Sequence, residues 1–292
     1  MTTTTIGSVT SADGTTIGYR EIGHGPGLVI LHGAMQTGDS QLELAEALSQ
    51  DFTCYLPDRR GRGRSGPVGP GYGLHREVED LAALIDTTGA RHVAGVSSGA
   101  IITLRTLLVR PDLDSAVVFE PPLFTDGSAP AASLPRLDRE LAAGRTAAAL
   151  VTGMKAAQLG PPIFQVMPRR VLELLTGLML KGGGKDAAPG GAPTFEELAP
   201  TLRQDIQVAV DAAGDLTEYG TVRPEVLLLS GSKSPAYLRA ALERLERILP
   251  HARRTLLDGL DHSATSNAAQ RGRPERVAAV IRPFLAPGRA GS

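Results

Sequence analysis

One segment of the chain has the residue types and spacing of a reactive hydroxyl: Gly95-Val96-Ser97-Ser98-Gly99. It fits G-x-S-x-G, follows the apolar run 92–96 and opens an apolar stretch of helical character at 98–109. In that context the serine stands in a sharp strand-to-helix turn. The flanking glycines remove Cβ clashes, and the hydroxyl projects at a helix N-terminus that favours developing negative charge. Alone, the five residues also fit a Gly/Ser turn with a capping serine. The strand before and the helix after favour a nucleophile. Acyl transfer from such a serine needs two N–H donors aimed at the carbonyl oxygen. Ser98 N–H is one. The loop after the apolar run 28–31 supplies the other, with Ala34 as its donor. His32 and Gly33 open that loop, and His32 reads as a structural residue bonded to backbone. The base must come from six histidines. His92 begins a strand beneath the site, and His251 follows Pro250 at a helix end. His262, in the late loop DGLDHSAT, reaches the sheet edge where Ser97 sits.

The segment Asp58-Arg59-Arg60-Gly61-Arg62-Gly63-Arg64-Ser65 is the second concentration of charge. Asp58 and the glycines fix a tight turn beside the site, and the arginines pair locally. A nucleic-acid role lacks support, because the rest of the chain offers no basic face. Taken in order, HG after a strand, D-x-x-G-x-G-x-S, G-x-S-x-G and a late histidine resemble the α/β-hydrolase superfamily, over about 6–124 and 222–285. The resemblance implies an α/β fold, with a mostly parallel eight-stranded sheet, helices on both faces and an inserted helical cap. It also implies an acid after the strand 226–229. That stretch reads Ser230-Gly231-Ser232-Lys233-Ser234-Pro235, with Ser234 where the acid is expected. A neutral hydroxyl cannot stabilise an imidazolium as a carboxylate does. Glu120, just after the strand 115–119, is the replacement. The two strands should be neighbours, so both ends approach one histidine, and glutamate reaches one methylene further than aspartate. GVSSGA followed by FEPP is similar to zearalenone-type lactonases and to bacterial hydrolases with an EPP motif, in which the acid sits after this earlier strand. The bland reading of Glu120 is a partly buried carboxylate paired with an arginine of 59–64. Asp258, Asp261 and Ser234 remain outside candidates.

The elements that position these residues alternate. Two short strands flank Asp13-Gly14 within 5–22, an Asp-Gly hairpin signal. Strands follow at 28–31, 54–56, 92–96, 115–119, 226–229 and 254–257. Helical patterns occupy 41–49, 77–85, 98–109, 236–249 and 274–285. Such alternation means a parallel sheet covered on both faces. Residues 125–220 break the rhythm with helical patterns only. They read as a cap inserted into one catalytic domain formed by 1–124 and 221–292, rather than as a separate domain. Within them, 169–181 reads as an amphipathic or largely buried helix. The Gly/Pro-rich stretch 181–193 reads as a mobile loop.

Composition bounds the function. The 292 residues correspond to one or two domains at about 150 residues each. With 42% hydrophobic and 21% charged residues, the chain is neither collagenous, coiled-coil nor wholly disordered. A net charge of -1 gives no global reason to bind nucleic acid or an anionic membrane. The lone Cys54 excludes an internal disulfide and a cysteine-based zinc site. The N-terminus MTTTTIGS has neither the basic nor the apolar part of a signal peptide, so a cytoplasmic location is expected. Together these features predict a serine hydrolase without cofactor or metal, using Ser97, Glu120 and His262 and cleaving an ester or lactone. Gly33, Met35, Leu123 and Phe124 are expected near the mouth of the site. Met154, Ile163, Phe164, Val166, Met167 and Met179 offer an apolar approach from the cap, or cap core. Moderate size and an apolar character are therefore expected of the substrate. Other chemistry on the same fold, such as C–C or thioester hydrolysis or a non-hydrolytic reaction, is the alternative within enzymes. A small-molecule receptor with a hydrolase shell is the alternative outside them. Oligomeric state stays open, a homodimer being one option.

Overall fold

The computed structural model describes residues 4–125, 129–157, 163–183 and 193–286. Eight strands form one sheet: β1 (Thr4–Thr10), β2 (Thr16–Gly23), β3 (Gly27–Leu31), β4 (Thr53–Pro57), β5 (His92–Val96), β6 (Ser115–Phe119), β7 (Glu225–Gly231) and β8 (Ala252–Leu257). Their order is β1-β2-β4-β3-β5-β6-β7-β8. β1 pairs antiparallel with β2, and β2 with β4. Every later pairing, from β4 through β3 to β8, is parallel. The predicted hairpin is present: Gly14 takes φ +86°, and Asp13 Oδ1 accepts the Thr15 N–H at 3.0 Å.

Period-two alternation sends each parallel strand into two apolar cores. Val29, Leu31, Val93, Val118 and Leu228 face the larger one, with residues of α2 (Leu74–Thr88), α3 (Ser98–Val109) and α10 (Ala236–Ile248). Leu28, Ile30, Ala94, Val117, Phe119 and Leu229 face the other, with α1 (Leu42–Leu48) and α11 (Pro274–Leu285). Cys54 is buried there, and burial pushes its thiol up to about 12. α3 sits at the sheet centre and is apolar nearly all round, because strands and neighbouring helices surround it.

Between β6 and β7 the described residues form helices only: α4 (Leu134–Ala142), α5 (Thr146–Ala156), α6 (Ile163–Val166), α7 (Arg169–Gly183), α8 (Phe195–Leu198) and α9 (Leu202–Asp211), with short 3-10 turns. A small apolar cluster of Leu137, Ala149, Leu202 and Ile206 joins α4, α5 and α9, and Met35 packs against it. α9 also buries Val208 and Ala209 in the larger core of the sheet. Of the two expectations at 169–181, an amphipathic or a largely buried helix, α7 does not meet the buried one. Leu172 is buried, but the apolar stripe Val171, Leu174, Leu175, Leu178 and Met179 faces solvent. Most of the predicted loop 181–193 lies outside the described residues. No described helix is long and apolar enough to cross a membrane.

Candidate active site

The C-terminal ends of β5, β6 and β7 converge with the loop after β8. Ser97 follows β5 at φ +53° and ψ -118°, a conformation rare for a residue with a side chain. Packing dictates the turn. A Cβ on Gly95 would come within 2.3 Å of Thr103 Oγ1 and 2.5 Å of Gly99 O. A Cβ on Gly99 would lie 2.5 Å from both Leu31 O and His32 O. The two glycines therefore let α3 start against β5 and β3, which leaves Ser97 at the apex.

His262 Nε2 lies 3.1 Å from Ser97 Oγ, and its Nδ1 lies 2.6 Å from Glu120 Oε2. Glu120 is fully buried, whereas the His262 side chain is 25% exposed, so the histidine faces the solvent side of a buried carboxylate. Phe119 stacks on the imidazole with ring centroids 6.2 Å apart. Glu120 takes φ +48° immediately after β6, and its Oε1 accepts the Gly231 N–H at 2.7 Å from the end of β7. The neighbouring strands thus bring Glu120 to the histidine, and no arginine of 59–64 pairs with it among the described residues. Ser234 is buried with its hydroxyl unpartnered among the described residues. Asp258 accepts from Ser232, and Asp261 accepts the N–H and hydroxyl of Ser263. The ring nitrogens of His262 are already engaged elsewhere.

The loop after β3 lies against the serine. A Cβ on Gly33 would come 3.0 Å from Ser97 Cβ. His32 is fully buried; its Nδ1 donates to Gly33 O at 2.8 Å and its Nε2 accepts the Arg59 N–H at 3.1 Å. Burial, helped by Arg62 and Arg59, pushes its pKa well below the usual 6.5. The ring is neutral and holds two loops together. Among the described residues, the N–H groups of Ala34 and Ser98 have no protein acceptor. Met35 is half-buried beside the small apolar cluster, while Leu123 and Phe124 are 5% and 4% exposed and belong to the larger core. Val166 and Met179 are exposed; Met154, Phe164 and Met167 are half-buried; the Ile163 side chain lies outside the described residues. His92 pairs with Ser115 at the opposite end of β5.

Several neighbours carry no sequence motif. Gln36 Oε1 accepts the Gly33 N–H at 2.9 Å, and its Nε2 donates to Ser266 at 3.0 Å, which ties the loop after β3 to the loop of His262. Arg59 and Arg62 are buried against Glu77 and Asp205. Local pairing holds for Arg64 with Asp58, but Arg59 and Arg60 reach α2, and Arg59 and Arg62 reach α9. Burial alone would raise Asp205, yet Arg62 and Arg59 outweigh it and hold it below the carboxylate range. A polar cleft of about 630 Å³ beside the 58–65 turn includes Arg62, Arg64, Asp39 and Glu197, but none of Ser97, Glu120 and His262.

Comparison with known proteins agrees with this architecture. The profile of the alpha/beta hydrolase family matches residues 28–280, and the chain belongs to that family. An alpha/beta hydrolase structure from Sphaerobacter thermophilus is similar at 33% identity and TM-score 0.77, over 96% of this chain and 100% of that one. A 2-(acetamidomethylene)succinate hydrolase of Mesorhizobium japonicum is 27% identical over 253 residues, 85% of each chain. The structure of an esterase from a Rhodococcus species shares the fold at TM-score 0.64 and 19% identity, covering 96% of this chain and 98% of that one. The protein is a hydrolase of the alpha/beta type.

Proposed function

We propose that the protein hydrolyses a carboxylic ester or lactone of a moderately sized, apolar small molecule through an acyl-enzyme on Ser97. The observation that carries this reading is the continuous relay Ser97–His262–Glu120, at 3.1 and 2.6 Å. His262 Nε2 accepts the Ser97 proton as Oγ attacks the carbonyl carbon. The negative charge moves to the carbonyl oxygen, where the N–H groups of Ala34 and Ser98 stabilise it. The C–O bond to the alcohol then breaks, and His262 returns the proton to the leaving oxygen. A water deprotonated by His262 then attacks the acyl carbon, the bond from that carbon to Ser97 Oγ breaks, and His262 returns the proton to Oγ as the acid is freed. Glu120 keeps the imidazole in the tautomer with its proton on Nδ1 and stabilises the imidazolium. Residues 125–220 act as the cap, with α9 as its anchor on the core.

Met35, half-buried and directly after Ala34, supports an apolar acyl or alcohol group. The buried guanidiniums of Arg59 and Arg62 are already paired with Glu77 and Asp205. That favours an uncharged substrate over a dicarboxylate such as the one in the name of the Mesorhizobium relative. A panel of p-nitrophenyl esters of graded chain length, lactones and a succinate monoester tests the reading. Turnover rising with acyl length, and lost in Ser97→Ala, supports it. Turnover confined to the charged ester would replace the substrate assignment.

A further inference from the structure

Three of the four non-glycine residues with positive φ among the described residues are Met35, Ser97 and Glu120. Two belong to the relay. Met35 does not, but it follows Ala34 directly, and its φ is +54°. A side-chain-bearing residue persists in that region only where its surroundings over-determine it. Here the Met35 N–H donates to Asp205 Oδ2 at 3.1 Å, across 170 residues of sequence. Asp205 Oδ1 accepts from Arg59 Nη1 at 2.7 Å, and the same Nη1 donates to Ser98 Oγ at 2.9 Å. Glu77 takes Nε and Nη2 of Arg59 at 3.0 and 2.8 Å, and Tyr72 donates its hydroxyl to Glu77 at 2.6 Å. Arg62 closes the cluster on Asp205 at 3.2 and 3.3 Å. The side chains of Arg59, Arg62, Glu77 and Asp205 are each at most 2% exposed, so two cations meet two carboxylates in the dry interior.

We propose that the Arg59–Asp205 pair positions the oxyanion hole, Asp205 holding the Met35 amide beside the Ala34 peptide and Arg59 holding Ser98. The inference rests on the reading of Ala34 and Ser98 as oxyanion donors. Neither side chain touches the reacting atoms; both are positioning residues. Stability alone does not call for this cluster, since well-packed apolar groups often replace a buried ion pair at no loss. A charge-assisted hydrogen bond to a strained amide supplies directional constraint that apolar packing lacks. Because Asp205 belongs to α9, the helical segment between β6 and β7 is tied to the geometry of the hole.

The test compares wild type, Asp205→Ala, Asp205→Asn and Ser98→Ala in hydrolysis of p-nitrophenyl acetate. It also measures binding of an aryl trifluoromethyl ketone, whose hemiketal oxyanion occupies the hole. For folded Asp205→Ala, kcat falls by about 10²-fold, the scale of a small misplacement at a reacting centre, with KM little changed. Ketone affinity falls in step, and Asp205→Asn, which keeps a neutral acceptor for Met35, recovers part of both. A merely structural role would lower the melting temperature and leave kcat per folded molecule and ketone affinity untouched. That result overturns the proposal. If Asp205→Ala does not fold, Ser98→Ala decides. It keeps every N–H and removes only the contact with Arg59, so a kcat loss of about tenfold, matched by the ketone, supports positioning. Unchanged values contradict it. Wild type that neither turns over the ester nor binds the ketone refutes the oxyanion reading itself, and this inference with it. Active wild type with unaffected variants refutes the inference alone.

Discussion

Ser97 and Glu120 hold φ angles of +53° and +48°, and conformations of this kind cost about 1–3 kcal/mol each. The surrounding structure fixes both: glycine contacts set the turn at Ser97, and the Gly231 N–H orients Glu120. Ser97→Ala is expected to fold with wild-type circular dichroism and to lose about 10⁶-fold in kcat on the best ester. Glu120→Gln should lower kcat by about 10⁴-fold, because the amide can present the wrong group to Nδ1 and carries no charge for the imidazolium. Wild-type kinetics in that variant would remove Glu120 from the relay. The grouping of Ser97, Glu120 and His262 was expected from the sequence because Ser97 and Glu120 directly follow the buried apolar strands β5 and β6, and because His262 is a late histidine in the loop after β8, itself only partly apolar. Asp205 and Arg59 were not legible in the sequence. An aspartate in an amphipathic helix looks like one on a solvated face, and its partners Arg59 and Arg62 lie 146 and 143 residues away.

The strands β3, β5 and β6 are short apolar runs between turn residues, a pattern a buried parallel strand imposes, so their bounds and those of α3 could be read directly. α7 shows the limit of that reading. Periodicity identified its stripe, but which neighbour covers a stripe depends on contacts remote in sequence, and here Leu174, Leu175 and Leu178 stay exposed. The start of α3 is where element geometry and chemistry meet. Gly99→Ala places a methyl group 2.5 Å from the backbone oxygens of Leu31 and His32. Backbone cannot yield as a side chain does, so a loss of about 1–3 kcal/mol is expected from overpacking. Calorimetry should show a melting temperature lower by several degrees, and esterase activity should fall with the displaced serine. A variant as stable and as active as wild type would contradict the account of the turn.

The whole molecule should weaken as the medium acidifies, and His32 sets the first step together with His92, whose burial also holds its pKa below the usual value. The folded pKa of His32 lies well below the unfolded value of 6.5, so below that pH the unfolded chain binds a proton that the folded chain refuses. Stability is therefore complete above about 6.5 and declines as pH falls, by up to about 1.4 kcal/mol per pH unit for one proton. The depressed Glu77 and Asp205 add a second loss at more acidic pH, as their ion pairs are protonated. Urea denaturation between pH 7.5 and 5.5 checks the first step: the slope should shrink in His32→Asn, and an unchanged slope would assign it to another group. The central claim, a nucleophilic Ser97 in a working relay, is tested most directly by a fluorophosphonate probe read by intact mass and peptide mapping. The account predicts one equivalent of label on Ser97 in wild type, slower labelling in Glu120→Gln and none in Ser97→Ala. No labelling of the folded wild type, or label persisting in Ser97→Ala, would contradict it; the former is the behaviour of a receptor with a hydrolase shell.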